Sequence, residues 1–226
     1  RLGIDMEVEE HLLAAPFDYA SQAALYLPRD IPDPREAGYL ERAADEVRAL
    51  CALTGGGAFV LCTSIRMMKA LHGVLRDRLD CPVYLQGEAP NASLLERFRA
   101  DGNAVLFATA SFWQGVDVPG AALRLVIIDK LPFDVPSDPL VQARCGRLEE
   151  AGEQPFMKYL VPAAALALKQ GFGRLIRTRH DRGVVAILDT RITKRGYGRA
   201  FLASLPDARR CTSLDEVAAF WKEAHA

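Results

Sequence analysis

The residues best suited to chemistry lie in one short stretch, Gln-Gly-Phe-Gly-Arg-Leu-Ile-Arg at 170–177. Arg174 and Arg177 are forked cations that stay charged, and Gln170 adds an amide, a set that matches phosphate oxygens. Placed on a helix at 100° per residue, Gln170, Arg174 and Arg177 fall within about 60° of one another. Leu168, Phe172, Leu175 and Ile176 take the opposite side, facing a core. Gly171 and Gly173 each weaken a helix by roughly 0.5–1 kcal/mol relative to Ala. Gly173 also leaves room beside the stripe for a ligand. A solvated basic face is the plainer alternative, and it gives no reason for the two glycines.

A second candidate is the stretch Phe107–Gly120, which follows an apolar run. Gly115 and Asp117 form a small-residue turn with a carboxylate, able to accept from a ribose hydroxyl or to pair with an arginine. Thr109 and Ser111 offer hydroxyls and amides to a phosphate. Phe112 and Trp113 offer rings to bases, where stacking is worth about 1–3 kcal/mol per base. One of these two rings is expected in the core instead.

These residues need elements to hold them. Apolar runs at 58–62, 82–86, 104–109, 123–129 and 183–189 read as buried strands, and a short strand is expected at 208–212. Helical spacing marks 35–53, 65–79, 91–100, a stretch of about forty residues after Leu140 interrupted near Pro155 and Pro162, 198–205 and 214–225. Thr63 or Ser64, and Asn91, are candidate caps. Strands that are continuous apolar runs and alternate with helices predict an α/β fold: a doubly wound, mostly parallel sheet covered on both faces. Such sheets carry function at the carboxyl ends of their strands, after Cys62, Gln86, Thr109, Asp129 and Asp189. Residues 1–34, with an extended run between Pro16 and Pro28, read as a lead-in segment, and 35–226 as the domain.

Composition narrows the classes. The 226 residues are half apolar and carry a net charge of −1, so any nucleic-acid site must be local. The five cysteines are scattered and predict reduced thiols in a cytoplasmic protein, with no disulfide framework or metal site. The four histidines show no metal spacing. No membrane span or signal peptide is expected. The first residue is Arg, as expected of an excised fragment. No P-loop lysine motif occurs; Thr-Gly-Gly-Gly at 54–57 runs straight into a strand. Val126–Lys130 imitates a metal-binding strand ending in Asp129, without an acidic partner, so Asp129 reads as structural or as a link to the arginines. Asp45 and Glu46 read as solvated surface. In the last helix Leu214, Val217, Ala218 and Trp221 share a face, with Phe220 beside it. That face packs on its own domain or, alternatively, makes the chain an interaction module docking a replication protein.

Taken together, the motifs resemble those of superfamily 2 helicases. Phe59–Met68 is similar to helicase motif IV, Phe107–Gly120 to motif V and Gln170–Arg177 to motif VI, and they follow one another along the chain in the order those helicases show. Residues 125–144, 187–206 and 16–28 resemble the XPD/DinG-type subgroup, most of all the bacterial YoaA-like and DinG-like helicases. The resemblance implies the second RecA-like motor domain of an ATP-driven DNA helicase moving 5′-to-3′ on single-stranded DNA. It implies Arg177 as the arginine finger, with Arg174 and Gln170 at the phosphates, and Gly115, Asp117 and Gly173 at the nucleotide edge. Ser64, Thr109 and Ser111 would touch the DNA backbone. ATP and Mg²⁺ would be shared with a first motor domain, which would also carry the subgroup's iron–sulfur cluster. A clamp-loader accessory subunit is an implied partner.

Overall fold

The computed structural model describes residue 9, residues 17–109, residues 112 and 118, and residues 120–224. Its frame is a seven-stranded, all-parallel sheet. The strands are β1 (Ala23–Tyr26), β2 (Ala58–Cys62), β3 (Val83–Leu85), β4 (Val105–Thr109), β5 (Leu125–Ile128), β6 (Gly183–Ile187) and β7 (Arg209–Cys211). Their order across the sheet is β3-β4-β2-β5-β6-β1-β7. β2, β4, β5, β6 and β1 form its middle and are buried almost throughout, which is why their sequences are unbroken apolar runs.

Helices cover both faces. On one side lie α2 (Tyr39–Thr54), α3 (Ile65–Leu75) and α9 (Leu214–Ala224), packing Val47, Leu50, Leu71, Val217 and Phe220 against Val60, Phe107 and Ile127. On the other lie α4 (Asn91–Asp101), α6 (Val161–Phe172) and α8 (Gly198–Ser204), packing Phe98, Leu168, Phe172 and Phe201 against Phe59, Leu106 and Val126. Successive strand residues point to opposite faces, so each strand feeds both cores. The fold is therefore the doubly wound α/β sheet that the alternating runs predict.

Several local expectations change. The segment preceding residue 35 is not a mere lead-in: after a short turn, α1 (Tyr19–Gln22), β1 inserts between β6 and β7. Four buried residues, Ala-Ala-Leu-Tyr, were too short a run to identify as a strand without its neighbours. A domain boundary at 34/35 would remove a strand from inside the sheet. Asn91 is not a cap; it sits inside α4, whose N-cap is Pro90. The long helical region divides into α5 (Pro139–Glu150), capped by Asp138, and a π-helical turn (Phe156–Leu160) that runs directly into α6. Pro162 lies where the π-helical turn passes into α6; it cannot donate a backbone bond to the preceding turn, and the change of winding falls beside it. Glu46 is buried rather than solvated: it accepts from the Tyr26 hydroxyl at 2.8 Å and pairs with Arg42 at 2.8 Å.

The three glycines after α2 are turn-formers. A Cβ on Gly56 would lie 1.9 Å from the Asn103 carbonyl oxygen, so only glycine fits. Beside them Arg124 gathers four backbone carbonyls: Thr54 (3.2 Å), Gly55 (2.8 Å), Gly102 (2.9 Å) and Ala121 (2.7 Å). It staples three turns at the amino end of β2, β4 and β5. No helix among the described residues is long and apolar enough to cross a membrane. Since bonds to a charged donor are worth about 1.5–3 kcal/mol and orphaned carbonyls add to the loss, Arg124→Ala should destabilise the fold by about 2–4 kcal/mol in urea unfolding. A change within 0.5 kcal/mol, the ordinary range for surface substitutions, would refute the staple.

Candidate functional site

The predicted residues divide between the two ends of the strands. Ser64 and Thr109 lie at the carboxyl ends of β2 and β4. Gln170, Gly173, Arg174 and Arg177 lie toward the amino end of β6, because α6 returns the chain across the sheet before β6 starts. A strand of five residues separates the two ends by roughly 15 Å. Gly115, Asp117 and Ser111, with Trp113, lie outside the described residues.

The arginine segment differs from the helical stripe read from sequence. α6 ends at Phe172, with Gly173 as its C-cap, so only Gln170 is helical. Arg174 is in the following turn and Arg177 in the loop beyond. Leu175 and Ile176 still turn into the core, at 2 % exposure each. Two glycines lower the cost of leaving the helix there, and burial of Leu175 and Ile176 sets the new path. A Cβ on Gly183, the first residue of β6, would come within 2.5 Å of Leu175 Cδ1 and 2.6 Å of the Arg124 carbonyl oxygen, so the close approach needs glycine. Gly173 has no such need: its φ is −64°, and a Cβ would make only ordinary contacts with the Lys169 and Gln170 carbonyls.

Two residues with no role in the sequence reading hold the loop. The Asp181 carboxylate accepts from the amides of Arg177 and Thr178, both at 2.8 Å, and from the Thr178 hydroxyl at 2.8 Å. The buried Gln22 amide donates to the carbonyls of Thr178 (3.0 Å) and Asp181 (3.1 Å). An Asp four residues after Arg177 was a readable loop signal; Gln22, more than 150 residues away, left none. The main chain is thus pinned while the Arg177 side chain stays exposed and Arg174 half-buried. Arg177 acts electrostatically on the Tyr19 phenol, whose pKa burial nonetheless raises. Beside this segment a groove of about 530 Å³ is lined by Phe17, Tyr19, Lys169, Leu205 and Asp207. Exposed Lys169 and Gln170, with the two arginines, form a donor set whose chemistry fits a nucleotide's phosphates.

At the carboxyl rim, strands β4, β2, β5 and β6 end side by side. The chain runs outward from β2 to β3 and β4, then returns to the other side of β2 as β5, so the winding reverses beside β2. Asp129, fully buried after β5, closes this point. Its Oδ1 accepts from the amides of Thr63 (2.8 Å) and Lys130 (2.7 Å), and its backbone carbonyl accepts from the Tyr39 hydroxyl. Asp129 is therefore structural, with no arginine of the 170–177 stretch as its partner in these bonds. It fixes the turn that presents Ser64, whose Oγ caps α3 by accepting from the Met67 amide at 3.2 Å. Thr109 gives both its amide (2.7 Å) and its hydroxyl (3.0 Å) to Gln86 Oε1, so a phosphate there would compete with Gln86. Phe112 lies in the core, set edge-on to Phe59. After β6, Asp189 accepts from the Leu131 amide and from Arg191 at 2.8 and 2.6 Å. No group of His, Cys, Asp and Glu among the described residues could hold a metal ion.

In α9, Val217 and Phe220 are buried against the sheet, and Leu214 and Trp221 pack partly against the same core. Ala218 faces outward. The apolar face is therefore used within the domain.

A protein-family profile described as a helicase C-terminal domain matches residues 47–208. The chain is 46% identical over 220 residues to the ATP-dependent DNA helicase YoaA of Escherichia coli (strain K12), covering 97% of this chain and 34% of that protein. It is 40% identical over 208 residues to the ATP-dependent helicase DinG of Mycobacterium tuberculosis (strain H37Rv), covering 92% of this chain and 31% of that protein. The chain thus spans about a third of the length of these relatives. A solved XPD helicase structure superposes with a TM-score of 0.66 at 19% identity, covering 85% of this chain and 36% of that one, a likeness of fold.

Burial pushes the Asp129 carboxyl up to about 6, against the lowering effect of its hydrogen bonds and of Lys130. The folded state then holds this proton more tightly than the unfolded chain, so the group's contribution to stability is full below about pH 4 and is lost as pH rises through about 6. In a comparison with Asp129→Asn, the wild type should lose up to about 3 kcal/mol of unfolding free energy relative to the variant between those pH values. A difference that is flat across the window would contradict it.

Proposed function

For a chain that belongs to the helicase C-terminal domain family, of the XPD/DinG type, we infer the role of second RecA-like motor domain in an ATP-dependent DNA helicase. The single observation that carries this reading is the likeness to YoaA along 97% of the chain, to which the structure adds an exposed arginine on a loop pinned by Asp181 and Gln22. The helicase would hydrolyse ATP to travel 5′-to-3′ on single-stranded DNA and open duplexes during repair or replication.

In this reading ATP lies between the chain and a first motor domain. That domain supplies the P-loop lysine and Mg²⁺, which hold the phosphates and neutralise their charge, and carries the iron–sulfur cluster of the subgroup. This chain brings Arg177 to the γ-phosphate, where it offsets the charge that develops as the phosphoryl group departs. Arg174 assists, Gln170 orders the same region, and Gly115, Asp117 and Gly173 lie along the nucleotide. A finger of this kind is worth about 10³–10⁵ in rate, or roughly 4–7 kcal/mol of barrier. It works only when the cleft is closed, which links hydrolysis to domain movement. Ser64, at the start of α3 beside exposed Arg66 and Lys69, receives a backbone phosphate; Thr109 and Ser111 continue the track. Backbone gripping carries no sequence preference and weakens with salt.

The five free thiols accord with a reducing, cytoplasmic setting. The second reading, docking of a replication protein such as a clamp-loader subunit through α9, is disfavoured because Val217 and Phe220 already serve the chain's own core.

In the full-length protein, Arg177→Ala should lower DNA-stimulated ATP turnover by about 10³-fold or more while single-strand binding survives. Turnover near the wild-type rate would remove the finger assignment. The 226-residue chain alone should hydrolyse no ATP; stoichiometric, protein-dependent phosphate release from it would show that no other domain is required.

A further inference from the structure

Four rings cluster at the carboxyl rim beside β5 and β6. Phe201 is fully buried in the core. Phe133 packs on it, centroids 5.6 Å apart, and Phe156 stacks on Phe133 at 5.6 Å with only 26° between the planes. Tyr197 meets the edges of both, at 5.8 and 5.3 Å. The set thus grades from core to solvent: Phe156, at its outer end, is 40% exposed, and Val135 beyond it 62%.

The segment that carries Tyr197 is basic. Residues 190–206 contain four basic and no acidic residues. Arg191 is tied to Asp189, whereas Lys194, Arg195 and Arg199 lie within three residues of Tyr197 in sequence and are exposed. Burial raises the Tyr197 hydroxyl pKa, and around it Arg191, Arg195 and Arg35 act against burial while the Asp189 carboxylate acts with it. The nearby carboxylate of Asp134 accepts from Tyr159 at 3.4 Å.

We propose that Phe156, Phe133 and Tyr197 form a base-stacking platform for single-stranded nucleic acid, with Lys194, Arg195 and Arg199 holding the adjoining phosphates. Three features favour a nucleic-acid strand over a protein surface as the occupant. The outer ring offers a flat face backed by a second, near-parallel ring. Lys194, Arg195 and Arg199 are exposed, and the segment that carries them, 190–206, has no acidic residue. The platform also follows the same end of the sheet as Ser64: Ser64 comes after β2, Phe133 after β5 and Tyr197 after β6, three neighbouring strands. Aromatic stacking supplies affinity that is tolerant of sequence, because every base has a π-face. This proposal rests on the helicase reading and adds to it a grip on bases, where Ser64 grips only the backbone.

The test compares, in the full-length protein, binding of an oligo(dT) strand with binding of an abasic strand of equal length and phosphate number. Wild type should prefer oligo(dT) by about tenfold. Phe156→Ala should bring that preference close to one, and so should Phe156→Leu, which keeps the bulk and lacks the ring, should the alanine variant fail to fold. Lys194→Ala should weaken both strands alike and lower the salt slope by about one. Equal binding of the two strands by wild type, or an undiminished preference in the folded Phe156 variants, overturns the platform and leaves the helicase reading standing if oligo(dT) still stimulates ATPase. Loss of DNA-independent ATPase in Phe156→Leu with the strand preference intact assigns the rings to a contact within the protein and also overturns it. A wild type that binds neither strand refutes the helicase reading itself.

Discussion

One buried carboxylate organises the carboxyl rim. Asp129 ends β5, at the place where the winding of the sheet reverses, and takes the Thr63 amide from the end of β2. A buried amide left without a partner would cost about 1–3 kcal/mol, and the Asp129 oxygen removes that cost while locking the turn. Ser64 inherits its position from this bond and starts α3. The Tyr39 hydroxyl, reaching the Asp129 carbonyl, ties α2 to the same point.

The amino end is built on the same logic with opposite charge. Arg124 gathers the carbonyls of three turns, and Gly183 admits Leu175 beside it. Gln22 and Asp181 then fix the loop that carries Arg177. Backbone groups are satisfied by side chains at both ends. In the proposed motor this places the nucleotide-facing arginines and the DNA-facing hydroxyls at opposite ends of rigid parallel strands. A displacement at one end is carried to the other with little loss, since a close-packed core shifts as a unit.

Much of the fold was legible because its strands are buried on both faces, and such strands advertise themselves as unbroken apolar runs. β2, β4, β5 and β6 fall within a residue or two of their expected limits. β1 was not legible: Ala-Ala-Leu-Tyr has no length or pattern to separate it from an extended linker, and only the grooves between β6 and β7 make it a strand. Glu46 shows the converse. Its charge predicted water, yet Tyr26 and Arg42 together satisfy its oxygens inside the protein.

The sequence by itself determined the α/β class, the order of the motifs and the residue types at each candidate site, because burial periodicity and side-chain chemistry are local properties. It also determined which side of 170–177 faces the core: Leu175 and Ile176 are buried whether or not a helix continues. The tertiary structure alone decided that the helix stops at Phe172, that Asp181 and Gln22 hold the arginine loop, and that Asp129 joins two strands rather than meeting an arginine. Each of these depends on hydrogen-bond partners set by the packing of the whole sheet, several of them scores of residues distant in sequence, and a backbone group's choice among partners is made only when that packing brings them within about 3 Å.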